Sequence, residues 1–495
     1  MKLSRLAEHL ADACSLVPPA GGESQADPEV RRLRLDSRSL RPGDLFCALP
    51  GTRLDGRRFV PEALAHGAVA VLAPAPLEPL PVPSLVLRPD RHGAVVAGMA
   101  AAAVAGWPSA AMWVGAVTGT NGKSTVVHLV EQALRHAGRR PARAGTLGLA
   151  FEGRHEPIPN TTPGPDLLQD WLGRVRAAGA DSLAIEASSH ALDQRRLAGL
   201  EYHTAAWTNL TQDHLDYHGD MGRYADAKAR LVHGLGPRDR AFLPASDAAV
   251  WRACRGAAAE LISWALDDPG AALRGRFQPL PGGCHLQVEG EWGAAELDSP
   301  LIGRHNAENL LLAFGLLRTA GLEPSAAAAG LAAAAAAPGR LERVCPDSPW
   351  LLFVDYAHTP DALARALGAL RENFPGRRLG IVFGAGGDRD RGKRPLMGAA
   401  AARGADWCLV SSDNPRGEDP AAIAEQVAAG ARGHGGPVEC ELDRRRAIRR
   451  AVAALAPGEV LLVAGKGHED YQETGGVRRH FDDRQELEEA VRCSV

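Results

Sequence analysis

The sequence predicts an α/β protein of three domains: a central doubly wound parallel sheet built around a phosphate-binding loop (P-loop), a Rossmann-like α/β domain after it, and a smaller α/β domain in front. Three observations predict it. First, Val117-Thr118-Gly119-Thr120-Asn121-Gly122-Lys123-Ser124-Thr125 follows an apolar run that starts at Met112 and precedes an amphipathic stretch over 126–136, the order strand, glycine-rich turn, helix. Second, strands and helices alternate from Trp113 onward, and the apolar strands over 182–185 and 205–207 run out into polar residues, Glu186 and Thr208-Asn209. In such sheets ligands lie at the carboxyl ends of the strands, so Lys123, Glu186 and Asn209 converge there. Third, beyond Ala337-Pro338-Gly339-Arg340 the alternation resumes, with strands over 351–355, 379–383, 407–410 and 460–463.

Ahead of the loop, short β-like and α-like pieces over 44–49, 62–66 and 69–72 end at the breaker Gly106-Trp107-Pro108-Ser109. The expected domains are therefore 1–107, 108–337 and 338–495, consistent with 495 residues at about 150 per domain. With 45% apolar residues the chain is globular, and its blandest runs, over 100–105 and 332–337, are alanine-rich and too short to span a bilayer. The start, Met1 to Leu10, alternates charge with leucine and lacks a signal peptide's apolar centre. Eight scattered cysteines without a C-x-x-C pair argue against a disulfide framework or zinc site, and a net charge of −3 leaves no footprint for nucleic acid. A cytosolic protein acting on small molecules is expected.

The loop's residue types each suit a nucleoside triphosphate. Gly119 and Gly122 let successive N–H groups face phosphates, Lys123 adds a positive charge, and the Ser124 hydroxyl suits Mg²⁺. Only Thr120 and Asn121 separate the two glycines, so the loop is shorter than the general form. Glu186 is a natural Mg²⁺ carboxylate; alternatively Ser188 or Ser189 simply caps a helix. The polar stretch Thr208–His218 and Lys228 beyond it read, on residue types alone, as a solvated loop and a surface lysine.

The ordered series Gly-Thr-Asn-Gly-Lys-Ser-Thr, Asn160-Thr161-Thr162-Pro163, Glu186-Ala187-Ser188-Ser189-His190, Thr208-Asn209-Leu210 with Asp213-His214-Leu215-Asp216-Tyr217-His218, Gly303-Arg304-His305-Asn306 with Asn309, and Gly339-Arg340-Leu341-Glu342 resembles the Mur ligases along nearly the whole chain. Within that family Leu35-Asp36-Ser37-Arg38, Pro42-Gly43-Asp44-Leu45-Phe46 and Asp55-Gly56 look like the enzyme that adds the third residue of the peptidoglycan stem peptide. The resemblance implies ATP held by Gly119 to Thr125 together with Asn306, Arg340 and Asp355. It implies two Mg²⁺ sites, on Ser124 and Glu186 and on His214 with Lys228, the lysine being converted by CO₂ to a carbamate. It implies catalytic roles for Lys123, Glu186, His214 and Lys228, and a UDP-muramoyl-dipeptide bound by Leu35, Ser37, Asn160, Thr161, Thr162, Ser188, Gln194 and Arg196.

For the incoming amino acid the resemblance implies Arg389, Asp413, Asn414, Pro415, Arg416, Gly465 and Glu469, with Asp413-Asn414-Pro415-Arg416 similar to the meso-diaminopimelate form rather than the lysine form. A bidentate Arg416 suits that ligand's far carboxylate and Glu469 its ammonium. Taken alone, Asp-Asn-Pro-Arg is a type I turn. The implied enzyme is a cytoplasmic monomer without membrane or nucleic-acid partners. Rival readings are a lysine-adding ligase, a folylpolyglutamate synthetase, a plain P-loop NTPase or kinase, and a non-catalytic nucleotide-binding protein.

Overall fold

The structure is a computed structural model that describes residues 1–20, 27–51, 54–434 and 437–494; Thr52 and Arg53 lie outside them. Two compact units divide the chain, Met1–Trp264 with Gly315–Leu322, and Ala265–Phe314 with Glu323–Val495. No helix among the described residues is long and apolar enough to cross a membrane.

The first unit holds two sheets. The smaller is ordered Cys14–Val17, Ser84–Leu87, Ala70–Ala73, Asp44–Cys47, Arg32–Arg34, antiparallel at its first pair and parallel thereafter. The larger runs Pro141–Gly145, Ser182–Glu186, Trp113–Thr118, Thr204–Trp207, Arg240–Pro244, Glu260–Leu266, all parallel, with the antiparallel strands Gly148–Phe151 and Arg154–Glu156 on its outer side. These strands are alanine- and valine-rich because both faces are covered: Val114, Ala116, Leu183, Ile185, Ala205 and Trp207 lie in one core with Leu168, Trp171 and Leu231. Register brings Glu186 opposite Val117 and Trp207 opposite Thr118. The three strand ends expected to converge therefore do so.

The second unit carries a six-stranded sheet, Glu342–Val344, Leu351–Asp355, Val460–Ala464, Leu379–Phe383, Trp407–Val410, Val438–Cys440, parallel except at its first pair. Three of its strands match the expected limits residue for residue. Helices cover both faces, giving separate cores around Phe353 and Phe383 on one side and Val382 and Val463 on the other. The edge strands Glu342–Val344 and Val438–Cys440 were not expected, nor were an antiparallel meander, Leu273–Leu280, Gly283–Gly290 and Ala295–Ser299, and a hairpin, Tyr471–Thr474 with Val477–His480.

Candidate functional site

In the first unit the phosphate loop is fastened to the strand beside it. Gly119 and Gly122 take φ values of +142° and +88°, and a Cβ at Gly119 would stand 1.8 Å from the Thr208 hydroxyl oxygen, so glycine is required there. That hydroxyl donates to the Asn121 carbonyl (2.5 Å), the Asn121 N–H to Asn209 Oδ1 (3.0 Å), and the Thr120 hydroxyl to the Thr211 carbonyl (3.0 Å). The helix Lys123–His136 begins at the loop, so its unbonded N–H groups open toward a phosphate. The Thr208–Thr211 stretch is thus a brace for the loop.

Lys123 Nζ donates to the Gly119 and Thr120 carbonyls, each at 2.8 Å. Ser124 Oγ donates to Glu186 Oε2 at 2.9 Å. Glu186 is 1% exposed, and Thr146 gives it two further bonds, from its N–H to Oε1 (2.7 Å) and from its hydroxyl to Oε2 (3.1 Å). The same Thr146 hydroxyl lies 3.3 Å from the Thr161 hydroxyl. Ser188 caps the short helix Ser189–Asp193, so the helix-start reading of this segment holds alongside the carboxylate at the strand end. Among the described residues no group of three or more His, Cys, Asp and Glu gathers as a metal site. The adjacent Ser124 hydroxyl and Glu186 carboxylate nonetheless fit Mg²⁺, which takes one or two carboxylates and completes its shell with waters and phosphates.

Lys228 is not a surface lysine. It lies on the buried face of the helix Met221–His233 at 1% exposure, its Nζ donating to the Gly119 carbonyl at 2.7 Å and lying 4.5 Å from the Tyr224 ring centre. Burial, aided by the charge of Lys123, drives its pKa well below the usual lysine value, favouring the neutral amine. His214, in a left-handed conformation (φ 52°), packs its ring against His190 (4.7 Å) and faces Tyr224 (6.4 Å). His190 also packs on Tyr217 at 4.2 Å, and burial pushes its pKa down to about 4. His214 and Lys228 flank one tyrosine.

Four of the residues expected to hold the UDP-linked substrate, Thr162, Ser188, Gln194 and Arg196, form one chain of contacts. Arg196 donates to Gln194 Oε1 (2.7 Å) and to the Thr162 carbonyl (3.1 Å), Thr162 bonds the Glu186 carbonyl (2.8 Å), and Ser188 N–H donates to the Thr162 hydroxyl (3.0 Å). Asn160 is exposed and Thr161 half-buried. Leu35 is exposed beside Gly164, its N–H donating to Asp166 (3.3 Å), while Ser37 is buried with its hydroxyl on Glu62 (2.8 Å).

The remaining expected residues lie in the second unit. Asn306 is buried and donates to the Ile302 carbonyl (2.9 Å). Arg340 stacks on the Tyr356 ring at 4.7 Å, and Asp355 accepts from the N–H groups of Leu341 (2.6 Å) and Ala357 (2.7 Å), burial raising its pKa. A Cβ at Gly339 would fall 2.2 Å from the Gly467 carbonyl carbon, so these two turns touch backbone to backbone.

The 413–416 segment is no isolated turn. Arg416, at φ 52°, pairs as a bridge with Thr474; its N–H donates to the Glu473 carbonyl (3.0 Å) and its guanidinium to the Gly387 carbonyl (2.7 Å). Gln472 donates to the Asp413 carbonyl (2.9 Å), and the Glu473 N–H to Asn414 Oδ1 (2.9 Å). Asn414 Nδ2 donates to Glu469 (2.8 Å), whose carboxyl pKa burial raises. The Pro415 carbonyl comes within 1.9 Å of where a Cβ at Gly387 would stand, and Asp413 Oδ2 within 2.8 Å at Gly465. Arg389 is exposed. Sequence reading missed Thr146, Tyr224, His190, Lys466 and Gln472; only Thr146, just past a strand end beside Glu186, carried a usable signal.

Comparison with known proteins matches the Mur ligase family, catalytic domain over residues 29–103, the Mur ligase middle domain over 117–317, and the Mur ligase, glutamate ligase domain over 339–467. The chain belongs to the Mur ligase family. More particularly, it is similar to proteins named UDP-N-acetylmuramoyl-L-alanyl-D-glutamate--2,6-diaminopimelate ligase, from Chromobacterium violaceum (42% identical, 93% of this chain and 94% of that one) and Synechococcus elongatus (42% identical, 94% of each). A solved structure of a ligase of that name superposes with a TM-score of 0.70 at 35% identity, covering 94% of this chain and 95% of the other.

Proposed function

We propose that this chain is an ATP-dependent ligase that joins meso-2,6-diaminopimelate to the D-glutamyl γ-carboxylate of UDP-N-acetylmuramoyl-L-alanyl-D-glutamate in peptidoglycan precursor synthesis. The observation that carries the choice of amino acid is the hairpin-clasped Arg416, set in one loop with the Asn414 that bonds Glu469. A guanidinium and a carboxylate fixed in one framework suit a ligand end bearing a carboxylate and an ammonium. Near-full-length similarity to ligases of that name supports the same choice.

The reaction runs in two displacements. A γ-carboxylate oxygen attacks the γ-phosphorus of ATP, ADP leaves, and the diaminopimelate amine attacks the resulting acyl phosphate, loses a proton and expels phosphate as the amide forms. No protein nucleophile is needed, so catalysis is positioning and charge neutralisation. The loop N–H groups and Lys123 receive the phosphates, with Asn306, Arg340 and Asp355 as further nucleotide contacts. Thr161, Thr162, Ser188, Gln194 and Arg196 orient the UDP-linked substrate, joined by Leu35, Ser37 and Asn160. A neutral Lys228 amine is competent to add CO₂: its N–C bond forms, a proton departs, and the carbamate places an anion where a second ammonium would face Lys123. Ser124 and Glu186 would hold one Mg²⁺ and His214 with the Lys228 carbamate a second, the ions supplying neutralisation of phosphate charge. The enzyme works as a cytoplasmic monomer, with domains over 1–107, 108–337 and 338–495.

The test is ATP-dependent ligation with the UDP-muramoyl-dipeptide, meso-diaminopimelate and L-lysine being offered in parallel and the product weighed by mass spectrometry. Product with diaminopimelate alone is expected. A preference for lysine overturns the role of Arg416, and phosphate release without amide overturns the ligase.

A further inference from the structure

The second unit contains a lysine for which the mechanism above has no use. Lys466 is 0% exposed. Its Nζ lies 3.3 Å from Asn414 Oδ1, 3.5 Å from Glu469 Oε2 and 3.7 Å from Asp413 Oδ1, with the Tyr471 ring centre at 5.5 Å. Asp413, Asn414 and Glu469 are among the residues expected to meet the incoming amino acid. The other charges packed here pair off: Arg444 makes a two-fold bond to Asp483 (2.7 and 2.8 Å) and touches the Ala464 carbonyl, and Arg478, stacked on Tyr471, pairs with Glu473 at 3.1 Å. Arg389 is exposed and screened by water.

The charge inventory of the wall is then short. Two carboxylates, Asp413 and Glu469, are matched by one ammonium, Lys466, and one guanidinium, Arg416. Diaminopimelate ends in an ammonium and a carboxylate together, so it enters such a wall without changing its net charge. The end of lysine is an ammonium alone and leaves one positive charge in excess beside the buried Lys466 ammonium, which is costly. Without Lys466 the balance reverses, and the bare ammonium becomes the matching partner.

Resting on the functional reading above, we propose that Lys466 is a specificity-determining residue: its buried charge, with that of Arg416, balances Asp413 and Glu469, so that a zwitterionic side-chain end is accepted and a purely cationic one rejected. It acts through the carboxylates it touches. A role confined to propping the loop would lower the use of both amino acids alike; a charge role changes their ratio.

The experiment measures kcat/KM for meso-diaminopimelate and for L-lysine in the full-length wild type, Lys466→Met and Lys466→Arg. Selectivity for diaminopimelate is expected to fall at least about tenfold in Lys466→Met and to stay within about threefold in Lys466→Arg, the KM for ATP being unchanged in both. Equal losses with both amino acids, or an unchanged ratio, overturn the proposal. Should Lys466→Met not fold, Glu469→Gln gives the opposite test, since it leaves the wall with surplus positive charge: lysine use must fall by more than diaminopimelate use, and any other result overturns it. A wild type that adds neither amino acid removes the functional reading and the proposal with it, an outcome distinct from a selective wild type whose variants keep its ratio.

Discussion

Lys228 and Lys466 are buried to the same degree, at 1% and 0% exposure, yet their surroundings are of opposite kinds. Lys228 meets a carbonyl and an aromatic ring, and burial, reinforced by the charge of Lys123, lowers its pKa. Lys466 meets two carboxylates and an amide oxygen. Burial by itself assigns a lysine no role; its neighbours decide whether it serves as an amine that reacts or a charge that stays. In this protein the two uses sit in separate units.

The strongest way to break this contrast is to remove the amine. Lys228→Met is expected to lower turnover by a factor on the order of 10²–10³, and intact-protein mass spectra of the wild type at high bicarbonate are expected to show one added CO₂ that the variant lacks. An unmodified wild type with full activity would refute the carbamate. The same variant sharpens the comparison through stability. Lys228 titrates lower in the folded chain than the ordinary lysine value of 10.5, so below that value the unfolded chain binds more protons and folding carries a penalty that shrinks as pH rises toward it. Lys228→Met is therefore expected to unfold at a higher temperature than wild type at pH 7, the gap closing toward pH 10.

Next in size comes Arg416→Ala, expected to lower kcat/KM for diaminopimelate on the order of 10²-fold while leaving the value for lysine within a few fold, as read from paired initial rates. A smaller change comes from Thr146→Val, which keeps the shape and deletes the hydroxyl between Glu186 and Thr161. Loss of about 1 kcal/mol from one such bond corresponds to about fivefold in kcat, with KM for the amino acid unchanged. An equal rise in every KM would instead mark general disorder of the loop.

The mildest prediction extends the desolvation argument to histidine. His128, His190, His305 and His468 are each pushed by burial down to about 4 from the ordinary histidine value of 6.5. Between those values the unfolded chain holds more protons, so stability is full above pH 6.5 and declines as the pH falls toward 4. Melting temperature measured across that range is expected to drop, and His305→Gln to flatten the slope.

Much of this was legible beforehand because strands buried on both faces are written as unbroken apolar runs. The strands Leu351–Asp355, Leu379–Phe383 and Trp407–Val410 were read to the residue, and the polar ends Glu186 and Asn209 gave away the cleft end of the sheet. Lys228 was misjudged by residue type although periodicity pointed inward: Tyr224, Lys228 and Leu231 share one buried helical stripe. Lys466 offered no such signal, since a Gly-Lys-Gly loop has no period and its partners come from residue 413 and beyond. The hairpin that holds Arg416 was also hidden, its strands being polar and half-buried to exposed rather than apolar.

The backbone contact between Gly339 and Gly467 has a consequence for how such a chain can drift over generations. Neither position has room for a single methyl, so the turn bearing Arg340 and the loop bearing Glu469 cannot be spaced apart by one codon change at a time. The loop that selects the amino acid therefore pivots on a point where two glycines must be inherited as a matched pair.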